Sequence, residues 1–374
     1  MRPMTGVSIV IPTMNEEETI SDVISKAKKT LEDLNLPYEI VVVDNSSDKT
    51  PEIAESLGAK VIKGVKGYGK AYIEGFKVAK GDYIVMLDAD GTYNPEEIPK
   101  LLEPLIKNEA DVVLGSRFKG KILPKAMPIL HRYIGNPLLT WIMNFLFKTN
   151  ISDSHSGMRA FKKDVLSKIK LVCPGMEFAS EMLIEVARKN LRIAEVPITY
   201  YPRKGQSKLK SFRDGWRHLR FMLLYSPTYL FIIPSIIMLS LGIAITGYVL
   251  LLEPIRYHTQ ILGGLLIILG IQTFFFGVSI KVHSSEIGLT EPDKIVNFFN
   301  KPSIVEEGIA VGLILILIGL GFGYYIFKTW VETNYGMLNF VNLAIIVFDL
   351  IVIGVQIIIS ILFIGSLKVL NERW

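Results

Sequence analysis

Apolar and polar positions give the chain two different rhythms. Up to about residue 225, short β-branched runs alternate with stretches of helical period. "GVSIVIPT" (6–13), "EIVVVDN" (39–45), "YIVMLDAD" (83–90) and "DVVLGSR" (111–117) are apolar runs ending in polar residues, as buried strands do. Between the first two, Ile20, Val23, Ile24, Ala27 and Leu31 keep an i, i+3, i+4, i+7 spacing and predict a helix over 16–34. In "NPEEIPKLLEPL", Asn94 as N-cap, Pro95 at N1 and Glu97 at N3 predict a helix start with a capping box. Strands alternating with helices imply an α/β domain whose mostly parallel sheet is covered on both faces. Ligands of such sheets lie beyond the carboxyl ends of the strands. That rule singles out Pro12 and Asn15, Asp44 and Asn45, Asp88 and Asp90, and Ser116 and Arg117.

The second rhythm is continuous. Runs 231–252, 261–280, 308–327 and 343–365 are apolar and each at least 20 residues long, enough for a helix to cross about 30 Å of hydrocarbon. They predict four transmembrane helices. Two other stretches are too short or too basic to span. "PLLTWIMNFLF" (137–147) and "SKLKSFRDGWRHLRFMLLY" (207–225), with Leu209, Phe212, Trp216 and Leu219 among basic residues, fit helices lying in the membrane interface. The expected organisation is therefore an α/β domain over 1–205, a basic interfacial segment over 206–229 and four spans over 230–374. Gly308–Gly312 and Gly319–Gly323 would let span helices pack closely, in one chain or in a homo-oligomer. Asp349 and Gln356, seven apart, put polar groups on one face of the last span, where a charge is usually functional.

Charge adds an orientation. The net charge of +5 is modest, and its Lys and Arg cluster beside the first span at Arg203, Lys204, Lys208, Lys210, Arg213, Arg217 and Arg220. The 281–304 loop and the tail add Lys281, Lys294, Lys301, Lys368 and Arg373, against Arg256 and Lys328 in the opposite loops. The positive-inside rule then puts the α/β domain and both termini in the cytoplasm, and the absence of a leader pattern at the amino end agrees. An integral protein of the cell membrane is expected. Basic residues beside a membrane suit anionic lipid headgroups and argue against a nucleic-acid partner. A single cysteine, Cys173, excludes an internal disulfide.

The carboxylates Asp88 and Asp90 carry the chemistry. On a regular strand, residues two apart face one way, and like charges that close call for a cation. Hard oxygen ligands favour Mg²⁺ or Mn²⁺, which keep few protein carboxylates and complete their shell with substrate phosphates. A solvated turn or a helix cap is the plain alternative. Arg117, after a strand, suits bidentate binding of an anion.

Context adds a resemblance. "IPTMNEEETI" (11–20), "VVVDNSSDKT" (41–50), "KGYGKAYIEGF" (66–76), "DADGTYNP" (88–95) and "GSRF" (115–118) occur in order. Together they resemble the inverting nucleotide-sugar glycosyltransferases of family 2, with the Rossmann-like GT-A fold. Within these, residues 6 to about 215 look like the polyprenyl-phosphate hexosyltransferases of the dolichyl-phosphate mannose and glucose synthase type. The resemblance implies a metal-dependent transfer of a hexose from a nucleotide-sugar to a polyprenyl or dolichyl phosphate, with inversion. It implies that Pro12, Asn15, Glu16, Asp44, Asn45 and Lys70 bind the nucleotide-sugar with Asp88 and Asp90, the latter two holding the metal. Asp153, in "SDSHSGMRAF" (152–161), would lie by the reaction centre, and "YYPRKGQSKLK" (200–210) would close over the diphosphate. An acceptor phosphate is already anionic near neutral pH, so Asp153 is the base only if one is used. Cations must then shield two anions, and Arg117, Arg132, Arg203 and Lys208 are the expected lipid-phosphate ligands.

One departure bears on the donor. Mannosyl-lipid relatives often carry Gln two positions after the second Asp, as a metal ligand; here Thr92 stands there, and water or His155 would complete the shell. UDP-glucose or UDP-N-acetylglucosamine is thereby favoured over GDP-mannose. A processive polysaccharide synthase would need Gln-x-x-Arg-Trp, whereas "LNERW" (370–374) has Leu370 in the Gln position. A lipid transporter or scaffold with an inactive nucleotide domain is the alternative from another class.

Overall fold

The β-branched runs become the inner strands of one sheet. The computed structural model describes residues 6–204, 211–251, 256–286, 290, 292–337 and 339–371; Lys208, an expected lipid-phosphate ligand, lies outside them. Contacts divide the chain into two units, Met1–Met222 and Leu223–Trp374. Along the first run β1 (Val7–Thr13), α1 (Ile20–Asp33), β2 (Tyr38–Asp44), α2 (Thr50–Ser56), β3 (Lys60–Lys63) and α3 (Tyr68–Val78). Then come β4 (Tyr83–Met86), α4 (Ile98–Ile106), β5 (Val112–Ile122), α5 (Asn136–Phe147), β6 (Arg159–Lys162), α6 (Phe178–Arg188), β7 (Ile193–Tyr200) and α7 (Ser211–Leu224). The predicted apolar stripe of α1 is buried at all five positions, against Ile9, Ile11 and Val42 of the sheet.

The strand order is β3-β2-β1-β4-β6-β5-β7. The sheet is mixed, because β6 runs antiparallel to both β4 and β5 while the other pairs are parallel. Two expectations change in detail. The run 83–90 stops being a strand at Met86, so Asp88 and Asp90 stand on a loop, turned by Gly91 at φ +72°, and not on one strand face. Asn94 does cap, accepting from the Glu96 N–H. The Glu97 carboxylate does not close a capping box; it accepts instead from the Thr199 N–H of β7 at 2.9 Å.

Where β5, β6 and β7 meet, Asp111 holds three strands together. Its carboxylate accepts from the Arg192 backbone N–H (3.0 Å), from Arg192 Nε and Nη2 (3.1 and 3.0 Å) and from Lys162 Nζ (3.2 Å). Arg192 above all holds the Asp111 carboxyl well below the usual carboxylate range. A folded-state value below the unfolded one gives stability that is present above the unfolded value, about 3.9, and lost as pH falls through the folded value. Arg192 is half exposed, so Asp111→Asn is expected to cost about 1 kcal/mol at neutral pH. Thermal unfolding at pH 7 and at about pH 3 checks it: the gap from the parent should narrow in acid.

The second unit contains α8 (Ile233–Leu250), α9 (Tyr257–Glu286), α10 (Lys294–Phe299), α11 (Ile304–Glu332) and α12 (Val341–Asn371). Among the described residues, four helices are long and apolar enough to cross a membrane: Thr228–Leu250, Tyr257–Glu286, Ile304–Glu332 and Val341–Lys368. The glycine spacings serve contact between α11 and α12. A Cβ on Gly312 would lie 2.6 Å from the Gly354 carbonyl, and one on Gly319 2.8 Å from Ile351. Asp349 and Gln356 both turn toward α9. Gln356 Nε2 donates to Gln272 Oε1 (3.2 Å), and Asp349 faces Gly264, where a Cβ would come within 2.3 Å of its carboxylate.

Candidate active site

The loops after β1 and β4 and the first turn of α3 surround a cavity of about 310 Å³. Pro12, Glu16, Asn45, Asp88 and Asp90, five of the residues expected to bind the nucleotide-sugar, line it. So do Tyr68, Met176, Arg203, Arg213 and Arg217. Of the three other expected donor ligands, Asp44 and Asn15 do structural work beside it and Lys70 stands apart from it. Asp44, 2% exposed, accepts from Thr13 Oγ1 and Ser46 Oγ (2.6 Å each) and from the Ser46 N–H. Asn15, at φ +55°, fixes the 46–47 turn by accepting from the Ser47 N–H while its own N–H donates to Ser46 Oγ. Lys70 is exposed and is absent from the lining.

The paired carboxylates have different surroundings. Asp88 Oδ1 accepts from two phenols, Tyr68 (3.1 Å) and Tyr72 (3.2 Å). Its Oδ2 faces Gly157, where a Cβ would approach to 2.2 Å. Burial first, and the Asp90 charge second, raise the Asp88 carboxyl above the usual range, opposed by the two phenols and Arg203. Asp90 turns the loop on itself, its Oδ1 accepting from Thr92 N–H (3.0 Å) and Oγ1 (2.6 Å). Asp90 Oδ2 lies 3.2 Å from an Arg203 nitrogen that is also 3.4 Å from Glu16.

Thr92, weighed in the sequence as a poor metal ligand, thus orients Asp90. His155 donates or accepts at Nδ1 with Ser154 Oγ (2.7 Å), stands edge-on to His218 at 4.4 Å, and has no hydrogen-bond partner at Nε2. Burial, then His218, Arg117 and Arg159, push its pKa well down. Among the described residues no group of three or more His, Cys, Asp or Glu forms a metal cage. The donor set that does exist, carboxylate oxygens with one cationic neighbour, fits a hard divalent ion completed by phosphate and water.

Arg117 and Asp153 are expected site residues from segments 36 apart, and they meet face to face. Arg117 Nε and Nη2 donate to Asp153 Oδ2 and Oδ1 at 2.7 Å each, and the Arg117 N–H adds a third bond at 3.0 Å. Both oxygens of Asp153 are therefore committed, with Asp153 fully buried. The Arg117 guanidinium also lies over the Tyr200 ring at 5.1 Å. Beyond it a smaller cavity, about 230 Å³, contains Arg117 and Arg132 with Ile122, Tyr133 and Pro137. The adjoining helix turns an apolar face outward: Ile129, Leu130, Tyr133, Ile134, Leu138, Trp141 and Phe145 are all exposed, while Thr140 and Met143 point inward.

Sequence reasoning did not reach Tyr68 and Tyr72, whose signal was their i, i+4 spacing in a helix ahead of the carboxylates. It read Arg213 and Arg217 as interfacial, though both line the larger cavity. Arg159 had no signal. It is fully buried and donates to three carbonyls, of Ser154, Ser156 and Ala179, fixing the loop that carries Asp153.

Comparison with known proteins agrees with this arrangement. Residues 8–170 match Glycosyl transferase family 2, and residues 278–368 match the Glycosyltransferase family 2 C-terminal transmembrane region. The low-salt glycan biosynthesis hexosyltransferase Agl6 of Haloferax volcanii is 43% identical over 368 residues, 96% of this chain and 89% of that one. A dolichyl-phosphate hexose transferase of the same organism is 36% identical over 56% of this chain and 89% of its own length. The dolichol-phosphate mannosyltransferase of Pyrococcus furiosus is 40% identical over 54% of this chain and 59% of its own. A likeness of that degree along nearly the whole length, with a family match in each unit, makes the chain a member of glycosyltransferase family 2: an integral membrane glycosyltransferase with a GT-A domain.

Proposed function

We propose that the chain transfers a hexose from a nucleotide-sugar to a polyprenyl or dolichyl phosphate. The observation that carries this is the larger cavity, where Glu16, Asp88 and Asp90 face Arg203, Arg213 and Arg217. Acids and guanidiniums around one space suit a diphosphate bound with a divalent cation. The relatives' names, a dolichyl-phosphate hexose transferase and a dolichol-phosphate mannosyltransferase, support a lipid-phosphate acceptor.

In this mechanism Asp90, with Asp88 beside it, would hold a divalent ion, Mg²⁺ or Mn²⁺, which when bound would supply positive charge to the leaving diphosphate. Arg203, expected from the sequence on the acceptor phosphate, instead lines the donor cavity beside Asp90 and Glu16 and would add a second cation to the diphosphate. Arg117 and Arg132 hold the acceptor phosphate, and Asp153 holds Arg117 in place. An acceptor oxygen, already ionised, bonds to the anomeric carbon as its bond to the diphosphate breaks, so the configuration inverts and no base is required. The apolar face from Ile129 to Phe145 enters the membrane interface, beside Arg132. The first unit and both termini are cytoplasmic, and the membrane is the cell membrane.

The test is transfer of label from a panel of UDP- and GDP-sugars to dolichyl or undecaprenyl phosphate, with and without Mn²⁺. Label in a metal-dependent, chloroform-soluble product is the expected result, from a UDP-hexose, since no Gln stands at Thr92. Label from GDP-mannose would change the donor alone. A water-soluble polymer would indicate a processive synthase, and no labelled product from any donor would overturn the enzymatic reading.

A further inference from the structure

The two phenols on Asp88 have a role that the transfer reaction does not itself assign. We propose that Tyr68 and Tyr72 are positioning residues for the nucleotide donor, acting through Asp88. The inference rests on the reading of the larger cavity as the donor site.

Local sequence explains why the phenols stand where they do. α3 begins at Gly67 with φ +113°, a backbone state that L side chains rarely adopt. Its first turn lies hard against the 173–175 segment. A Cβ on Gly67 would lie 2.5 Å from the Pro174 carbonyl, and one on Gly69 2.1 Å from the Cys173 carbonyl. Further along, Gly75 packs on Val10 of β1, where a Cβ would come within 2.3 Å. The helix is therefore pressed down at three points, and Tyr68 and Tyr72, one turn apart, project from it to the same atom, Asp88 Oδ1.

The rings are fixed as well. Tyr72 is fully buried, stacked on Phe178 at 5.5 Å and 12°, and tilted against Phe76. Tyr68 meets the Tyr72 ring edge-on at 5.1 Å. Gly157 closes the opposite side of the carboxylate. With one oxygen between two donors and the other against a glycine, Asp88 keeps a single orientation and one edge toward the cavity. An acid of this kind is pre-organised to accept a hydrogen bond from a donor hydroxyl or to complete a metal shell, without first losing rotamer freedom. Ring packing alone would be served equally by phenylalanine, which has no group for Asp88 Oδ1.

The experiment measures binding of Mn²⁺–UDP and Mn²⁺–GDP to the full chain in nanodiscs by calorimetry. The variants are Tyr72→Phe, Tyr68→Phe, Asp88→Asn, and each phenylalanine variant combined with Asp88→Asn. Tyr→Phe keeps the rings and removes one hydrogen bond to a charge. Kd for the nucleotide that binds is expected to rise about ten-fold per phenol, with the unfolding midpoint within about 2 °C of the parent. In the Asp88→Asn background the same Tyr→Phe changes are expected to add little, because the acceptor through which they act has changed. Unchanged Kd in both phenylalanine variants would overturn the inference, as would an equal loss with and without Asp88→Asn. Tight binding that survives Asp88→Asn intact would also overturn it while leaving the cavity as the donor site. If neither nucleotide bound the parent chain, the donor-site reading would fall first and this inference with it.

Discussion

Asp90→Asn is expected to lower sugar transfer by roughly 10³-fold while leaving the chain folded. The argument lies in which oxygen does what. Asp90 Oδ1 accepts from Thr92 N–H and Oγ1, and so shapes the loop after β4; an asparagine carbonyl keeps both bonds. Asp90 Oδ2 faces the cavity and pairs with Arg203 at 3.2 Å. The substitution puts an NH₂ group there, with no charge and no lone pair for a cation. Asparagine therefore preserves the turn and removes the charged ligand. Turnover with labelled donor, read beside thermal unfolding, checks the split. An unfolding midpoint within a few degrees of the parent, together with lost transfer that added Mn²⁺ does not restore, is the expected pair. Activity within ten-fold of the parent would remove Asp90 from the metal site.

Sequence made some of this arrangement legible and hid the rest for definite reasons. β1, β2 and the stripe on α1 were visible because a β-branched run and a 3.6-residue period are properties of one contiguous segment. Spans were visible because membrane thickness sets a length. β3 and β6 have only four residues each, too few for a period to register, and β6 gains its place from pairing with strands on both sides. The same limit applies to the site. Asp88 and Asp90 stood out as a local pair, but their orientation depends on Tyr68, Tyr72, Gly157 and Arg203, which the fold brings from elsewhere in the chain. Asp44 read as a free ligand because nothing in "VVVDN" announces that Thr13, 31 residues earlier, donates to it. Asp349 and Gln356 stood out for polarity, and their neighbours on α9 emerge only from helix packing.

Asp153→Asn is expected to be the most destabilising single change at the site, and for a reason separate from catalysis. Asp153 is fully buried and Arg117 nearly so, joined through two of the three guanidinium nitrogens and one backbone N–H. Asparagine at 153 keeps the shape but leaves the guanidinium charge buried without a counter-charge, a loss of about 3–5 kcal/mol. For a unit of this size the unfolding midpoint should fall on the order of 10 °C. Arg117→Met with Asp153→Leu removes both charges at similar volume, and such replacements are often neutral. The double variant is therefore expected to recover most of the lost stability. Its transfer activity should remain absent, because no guanidinium is left at 117 for the acceptor phosphate. That divergence is what separates the two roles of the pair. Stability and activity returning together would show Arg117 to be structural alone. A double variant no more stable than Asp153→Asn would instead show that the hydrogen bonds, and not the balance of charge, hold the 116–118 and 152–154 segments together.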